Sequence, residues 1–146
     1  DCLLSRGLGD VYKRQDSWFK NAPLLDIIQA AQKLGFNLIV TTDHGTINVK
    51  NPVEVVGDKE SSQNLRYKTG RSLKYPAKKV MEARDPESYK LPRLGLNSTF
   101  IFAKEANYFV YPKNYHHYAT LFQNTYQHGG ISLEEILIPF VFLTPK

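Results

Sequence analysis

The stretch NAPLLDIIQAAQKLGFNLIVTTDHG, residues 21–45, restricts the fold more than any other part of the chain. Leu24, Leu25, Ile27, Ile28, Ala31 and Leu34 recur at the spacing of one helical face. Asn21 can cap the start, Pro23 suits the first turn, and Gly35 suits the stop. The run Phe36 to Val40 that follows is apolar except for Asn37. A strand covered on both faces reads this way, as parallel strands between helices do. Helix, turn and strand together make an αβ unit of a doubly wound sheet, so the fold class expected is α/β. Ligands of such sheets lie beyond the carboxyl ends of the strands. Asp43 and His44 stand there.

Neighbouring side chains on a regular strand point to opposite faces. Asp43 and His44 can converge only where the strand has ended, and Gly45 supplies the backbone freedom for that. A carboxylate oxygen and an imidazole nitrogen form part of a shell for zinc or a similar divalent cation. The competing reading is an aspartate bound to loop backbone beside an unrelated histidine. His128 is a third candidate ligand, in the loop of TYQHGGIS just before an expected helix start. Gly129 and Gly130 let backbone pass close to whatever His128 touches and can present amides to an anion, although a histidine in a glycine-rich turn reads the same way. His116 and His117 are adjacent on an expected helix, so they do not share a face and are not both expected on one metal.

Elsewhere the pattern is less regular. Residues 48–98, with a β-like stretch at Val53 to Val56, are expected to form a loop-rich insertion over the rim of the sheet. Arg66, Lys68, Arg71 and Lys74 interleave with Tyr67 and Tyr75. Such a segment can contact phosphates and stack bases, or it can be a solvated loop. Thr99 to Ala103 and Tyr108 to Tyr111 are expected as a β-hairpin, and a short helix is expected from Asn114. Ser132 with Glu135 three positions on forms a capping-box pattern, and the apolar run through Val141 reads as a terminal strand. The formal charge of +5, from 19 basic and 14 acidic residues, suits an anionic ligand without requiring one. No apolar run approaches the roughly 20 residues that span a bilayer. A single cysteine, Cys2, builds no disulfide framework, so a cytoplasmic setting is expected. Residues 1–15 show no clear period and are set apart as a non-native scar or a disordered tail, leaving 16–146 as the domain.

The segments SWFKNAPLL, TTDHGTI, NLRYKTGRSL and YQHGGISLEEILIP, in that order, resemble the C-terminal part of a PglZ domain. The nearest likeness is to the PglZ effector domain of PorX-type response regulators. The resemblance implies an alkaline-phosphatase-like doubly wound sheet and a phosphoesterase with two metals, usually zinc. It implies that Asp43 and His44 are the paired ligands of one metal and that His128 completes the shell of the other. The threonine or serine nucleophile is expected in preceding sequence, as are a first-strand aspartate and a further aspartate and histidine. No catalytic residue is therefore assigned here, and neither Thr41 nor Thr42 is assigned the nucleophile's role. The segment alone is expected to be inactive and to bind metal weakly. The implied partners are a nucleotide or oligonucleotide phosphoester, a receiver domain, a histidine kinase, and a sigma factor or other regulatory protein. Two other classes stay open: a non-catalytic interaction module on a phosphatase-like scaffold, and a nucleic-acid-binding domain using Arg66, Lys68 and Arg71.

Overall fold

The computed structural model describes residues 8–57, 62–95 and 97–145. In chain order the helices and strands are α1 (Leu8–Asn21), α2 (Pro23–Lys33), β1 (Leu38–Thr41), β2 (Ile47–Asn48), β3 (Asn51–Glu54), β4 (Tyr67–Gly70), β5 (Val80–Ala83), β6 (Thr99–Ala103), β7 (Asn107–Val110), α3 (Tyr115–Phe122), β8 (Tyr126–Gln127), α4 (Leu133–Ile136) and β9 (Phe140–Leu143). They fall into two compact units, Asp1–Thr41 with Pro139–Lys146, and Thr42–Ile138. The mixture of helices and small sheets is an α/β architecture.

The first unit contains α1, α2 and an antiparallel ladder of β1 with β9, from Leu38 opposite Leu143 to Thr41 opposite Phe140. The helix, turn and strand expected from residues 21 to 40 are present, but β1 pairs only with β9, antiparallel, and leaves Ile39 exposed, so it is not the strand of a parallel sheet covered on both faces that its apolar run suggests. Pro23 opens α2, where its missing N–H leaves no bond unmade. Ala22 occupies the N-cap rather than Asn21, because α1 runs to Asn21, whose side-chain amide donates to the Ser17 carbonyl at 2.7 Å. Gly35, at φ +75°, ends the helix in the left-handed conformation that glycine adopts without strain. α1 also runs through the boundary expected between residues 15 and 16. Ile27, Phe36, Ile39, Phe140 and Phe142 stay exposed, since two helices and one two-stranded ladder cover few apolar faces.

The second unit holds the core. β6 lies between β4 and β5, antiparallel to both. Its alternate residues serve two clusters, as a strand's period of two requires. Ile101 and Ala103 pack with Val53, Val55, Val80 and Phe109, while Phe100 and Phe102 pack with Ala83. The expected hairpin of residues 99–111 does not form. Both strands exist, but β4 and β5 already occupy the two edges of β6, so β7 pairs instead with β3, in parallel. Residues 48–98 are likewise not a rim insertion, because β3, β4 and β5 supply much of this core. The capping-box glutamate is in place: the Ser132 N–H donates to the Glu135 carboxylate at 3.2 Å at the start of α4.

Candidate metal centre and its buried support

After β1 the chain turns sharply through Thr42, Asp43 and His44. The Thr42 hydroxyl donates to the His44 carbonyl at 3.0 Å, which curls the loop onto itself. His44 Nδ1 lies 2.9 Å from the Gly45 carbonyl oxygen. A carbonyl only accepts, so Nδ1 carries a proton, and in the neutral ring Nε2 is the nitrogen with a lone pair to offer. That Nε2 lies 3.7 Å from Asp43 Oδ1. The Asp43 side chain is 87% exposed and that of His44 39%, so both are open to a ligand from solvent.

The His128 ring stacks on the His44 ring, with centroids 3.8 Å apart and planes within 9°. Two residues 84 positions apart in sequence are thus brought into contact, with Asp43 beside them. His116 and His117 are exposed on α3, edge-on to Tyr115 and Tyr118 respectively, and do not join this group. Among the described residues, no cluster of three or more His, Cys, Asp or Glu side chains is arranged to hold a single ion.

Glu135, half of a buried ion pair, holds both histidine loops, one through its carboxylate and one through its main-chain carbonyl. Arg66 Nε and Nη2 donate to Glu135 Oε1 and Oε2 at 2.9 and 3.0 Å, with both side chains shielded from water. Arg66 Nη1 also donates to the Asn107 carbonyl. Glu135 accepts the Gly130 N–H at 2.9 Å, and its own carbonyl accepts the Gly45 N–H at 2.9 Å. Asn64 completes the clamp: its side-chain oxygen takes the Arg66 N–H at 2.7 Å, and its amide donates to the His128 carbonyl at 3.3 Å. One buried carboxylate residue therefore ties the residue after His44 and the loop that carries His128. Burial pushes the Glu135 carboxyl up, but hydrogen bonds from Arg66, Ser132 and Gly130 outweigh it, and the group sits below the usual carboxylate range.

The glycines follow from these close approaches. A Cβ on Gly130 would lie 2.4 Å from Glu135 Oε2, and one on Gly129 2.6 Å from Asn64 Nδ2. The Gly130 amide is spent on Glu135, so this loop does not present it to an anion, contrary to the expectation from sequence. A Cβ on Gly45 would lie 2.0 Å from the Glu134 carbonyl oxygen, which is backbone and cannot step aside. Gly45→Ala is therefore expected to destabilise the chain by about 1–3 kcal/mol, read from the urea midpoint.

Arg66 and Lys68 do not form a surface track for phosphates with Arg71. Arg66 and Lys68 lie two apart at the start of β4, so alternation turns both inward and both are buried, whereas Arg71 is exposed beyond the strand. Tyr67, on the opposite face, packs near Phe102 with ring centroids 6.3 Å apart. Glu135, Asn64 and the positioning role of Arg66 escaped sequence reasoning. The capping box marks Glu135 as an N3 residue, but nothing local marks a partner 69 positions away.

The α/β scaffold thus gathers two histidines, one in the loop after β1 and one in the loop before α4. The family described as the BREX system PglZ alkaline phosphatase-like domain matches residues 11–143, and the chain belongs to this PglZ family. The match begins inside α1, before the boundary expected at residue 16. No individually curated protein matches the chain.

Proposed function

We propose that the chain supplies one wall of a divalent-metal phosphoesterase centre, with Asp43 and His44 holding one cation and His128 its neighbour. The observation that carries this reading is the stacked imidazole pair. Lone pairs of stacked rings lie in parallel planes and cannot meet on one ion, but a ring spacing of 3.8 Å matches the roughly 3.5–4 Å between cations in two-metal sites. The free Nε2 of His44 and Asp43 Oδ1, 3.7 Å apart, are close to the spacing of two ligands with bonds of about 2.0–2.1 Å on a tetrahedral ion. The nitrogen and oxygen donors fit zinc, which we assign to both positions. When bound, such cations stabilise charge on a phosphoryl group and make bound water more acidic.

The chain's own residues orient this group. The Thr42 hydroxyl and the Gly45 carbonyl fix His44 and its tautomer, and the clamp of Glu135, Arg66 and Asn64 fixes the two loops. Family membership supports a phosphoesterase-like scaffold. On the resemblance to PorX-type effector domains we assign the chain to the C-terminal part of such a domain. Its substrates would be nucleotide or oligonucleotide phosphoesters, with the nucleophile and remaining ligands supplied by other sequence. A receiver domain, its histidine kinase and a regulatory protein such as a sigma factor would be its partners, in the cytoplasm.

Zinc binding to the chain, followed calorimetrically, is expected to weaken at least about tenfold in His44→Ala and in His128→Ala. Unchanged affinity in both variants would remove the assignment. In the longer protein carrying this segment, hydrolysis of bis(p-nitrophenyl) phosphate is expected to be abolished by chelator. On the second reading the scaffold is phosphatase-like but non-catalytic. Zinc binding without any hydrolysis in that longer protein would favour it.

A further inference from the structure

A depression of about 510 Å³ in the second unit is lined by Asn64, Lys68, Tyr111, Tyr118, Phe122 and His128, among others. Its size falls in the range of roughly 300–1,000 Å³ usual for small-ligand sites. Lys68 is its unusual component. This residue is only 1% exposed, yet among the described residues its ammonium has no carboxylate partner. Nζ donates to the Ser62 carbonyl at 2.7 Å and lies 4.4 Å from the centroid of the Tyr111 ring. An ammonium has three protons to donate, and a buried cation met by one carbonyl and one ring face is only partly compensated. Burial lowers its pKa to about 8, which still leaves it mostly protonated at neutral pH. The aromatic wall is equally defined. Tyr118 and Phe122, four apart on α3, present rings with centroids 6.1 Å apart and planes within 10°.

We propose that this depression binds a planar aromatic ring bearing one anionic group, with the Lys68 ammonium on the anion and the Tyr118 and Phe122 side chains against the ring. His128 lines the same depression, so the ligand lies beside the metal centre proposed above. Its assignment as a substrate or product subsite rests on that reading; the binding itself does not. A cation held in the interior favours an anion strongly, because the two meet away from competing water. The aromatic side chains then select ligands that carry a ring over bare anions.

The test uses phenylphosphonate, whose carbon–phosphorus bond a phosphoesterase does not cleave, titrated into the full chain with EDTA present. Saturable one-to-one binding is expected, weakened roughly 10- to 100-fold by Lys68→Met and roughly fivefold by Tyr118→Ala. Inorganic phosphate, lacking the ring, is expected to bind at least tenfold more weakly, a figure on the order of what a buried ring contributes. Equal binding of phosphate and phenylphosphonate, or unchanged affinity in Lys68→Met, would overturn the proposal. Should Lys68→Met fail to fold, the ¹⁵N resonance of the Lys68 ammonium in the unaltered chain decides. It is expected to move on addition of phenylphosphonate, and a stationary resonance overturns the site. With chelator present throughout, failure of the zinc titration leaves this result intact, and the converse holds.

Discussion

Replacing Glu135 with alanine is expected to destabilise the chain by about 3–5 kcal/mol, because it leaves the buried Arg66 guanidinium without its counter-ion. The urea midpoint, with an unchanged slope, is the measurement. An exposed ion pair would give a fraction of this, but Arg66 and Glu135 are both shielded and the contact is bidentate. Replacing such a pair by two apolar residues is often neutral. Here Arg66→Met combined with Glu135→Leu is expected to remain destabilising, since the Gly130 and Ser132 amides would lose their acceptor. Glu135→Ala frees the Gly130 amide and with it the loop of His128, while the Glu135 main-chain carbonyl still accepts the Gly45 N–H, so zinc binding that depends on His128 should weaken along with stability. A Glu135→Ala chain as stable as the original would show that the pair contributes nothing and that the loops are held by other means.

Acid should act on the same group. Glu135 titrates below the ordinary carboxylate value of 4.5 in the folded chain. A depressed carboxyl contributes stability that is fully present above the unfolded-state pKa and is lost as pH falls through the folded-state one. The loss attributable to Glu135 therefore lies below pH 4.5. Stability measured from pH 6 down to pH 3 should fall more steeply in the unaltered chain than in Glu135→Ala.

Much of the local structure was legible in the sequence because it rests on short-range physics. The apolar period from Leu24 to Leu34 and the punctuation by Pro23 and Gly35 place α2. The run at 99–103 places β6, the apolar run through Val141 leads into β9, which continues to Leu143, and Ser132 with Glu135 places α4. Strand pairing was not legible. Whether β7 turns back on β6 depends on what else occupies the edges of β6, and β4 and β5 come from residues whose polarity reads as surface. Arg66 and Lys68 mislead for the same reason. Buried charges are rare enough that a sequence containing them reads as a loop, and the compensating Glu135 and Tyr111 lie far along the chain. The approach of His128 to His44 was expected from the family resemblance. The rings' parallel stacking, which excludes a shared ion in this arrangement, could come only from coordinates.

Lys68→Met is expected to raise stability near neutral pH, the opposite of what removing a structural salt-bridge partner does. In the unfolded chain this ammonium titrates near 10.5 and in the folded chain at about 8, with burial as the cause. That difference corresponds to roughly 3 kcal/mol favouring the unfolded state while the lysine is protonated. Among the described residues, the groups facing Nζ are the Ser62 carbonyl and the Tyr111 ring, and neither carries an opposite charge to cancel it. Methionine keeps most of the buried volume but leaves the carbonyl unpaired, so a net gain of about 1–3 kcal/mol is expected. The sign with pH follows from proton counts. Between pH 8 and 10.5 the unfolded chain binds more protons than the folded one, so stability of the unaltered chain rises across that window. Below pH 8 the penalty is fully present, above 10.5 it is gone, and the variant should show no such slope. Phenylphosphonate, binding only the folded state, should raise the melting temperature of the unaltered chain and leave that of the variant nearly unchanged. A Lys68→Met chain that melts lower than the original would make the ammonium a group the fold needs for itself, and the case for an anion seated on it would fail.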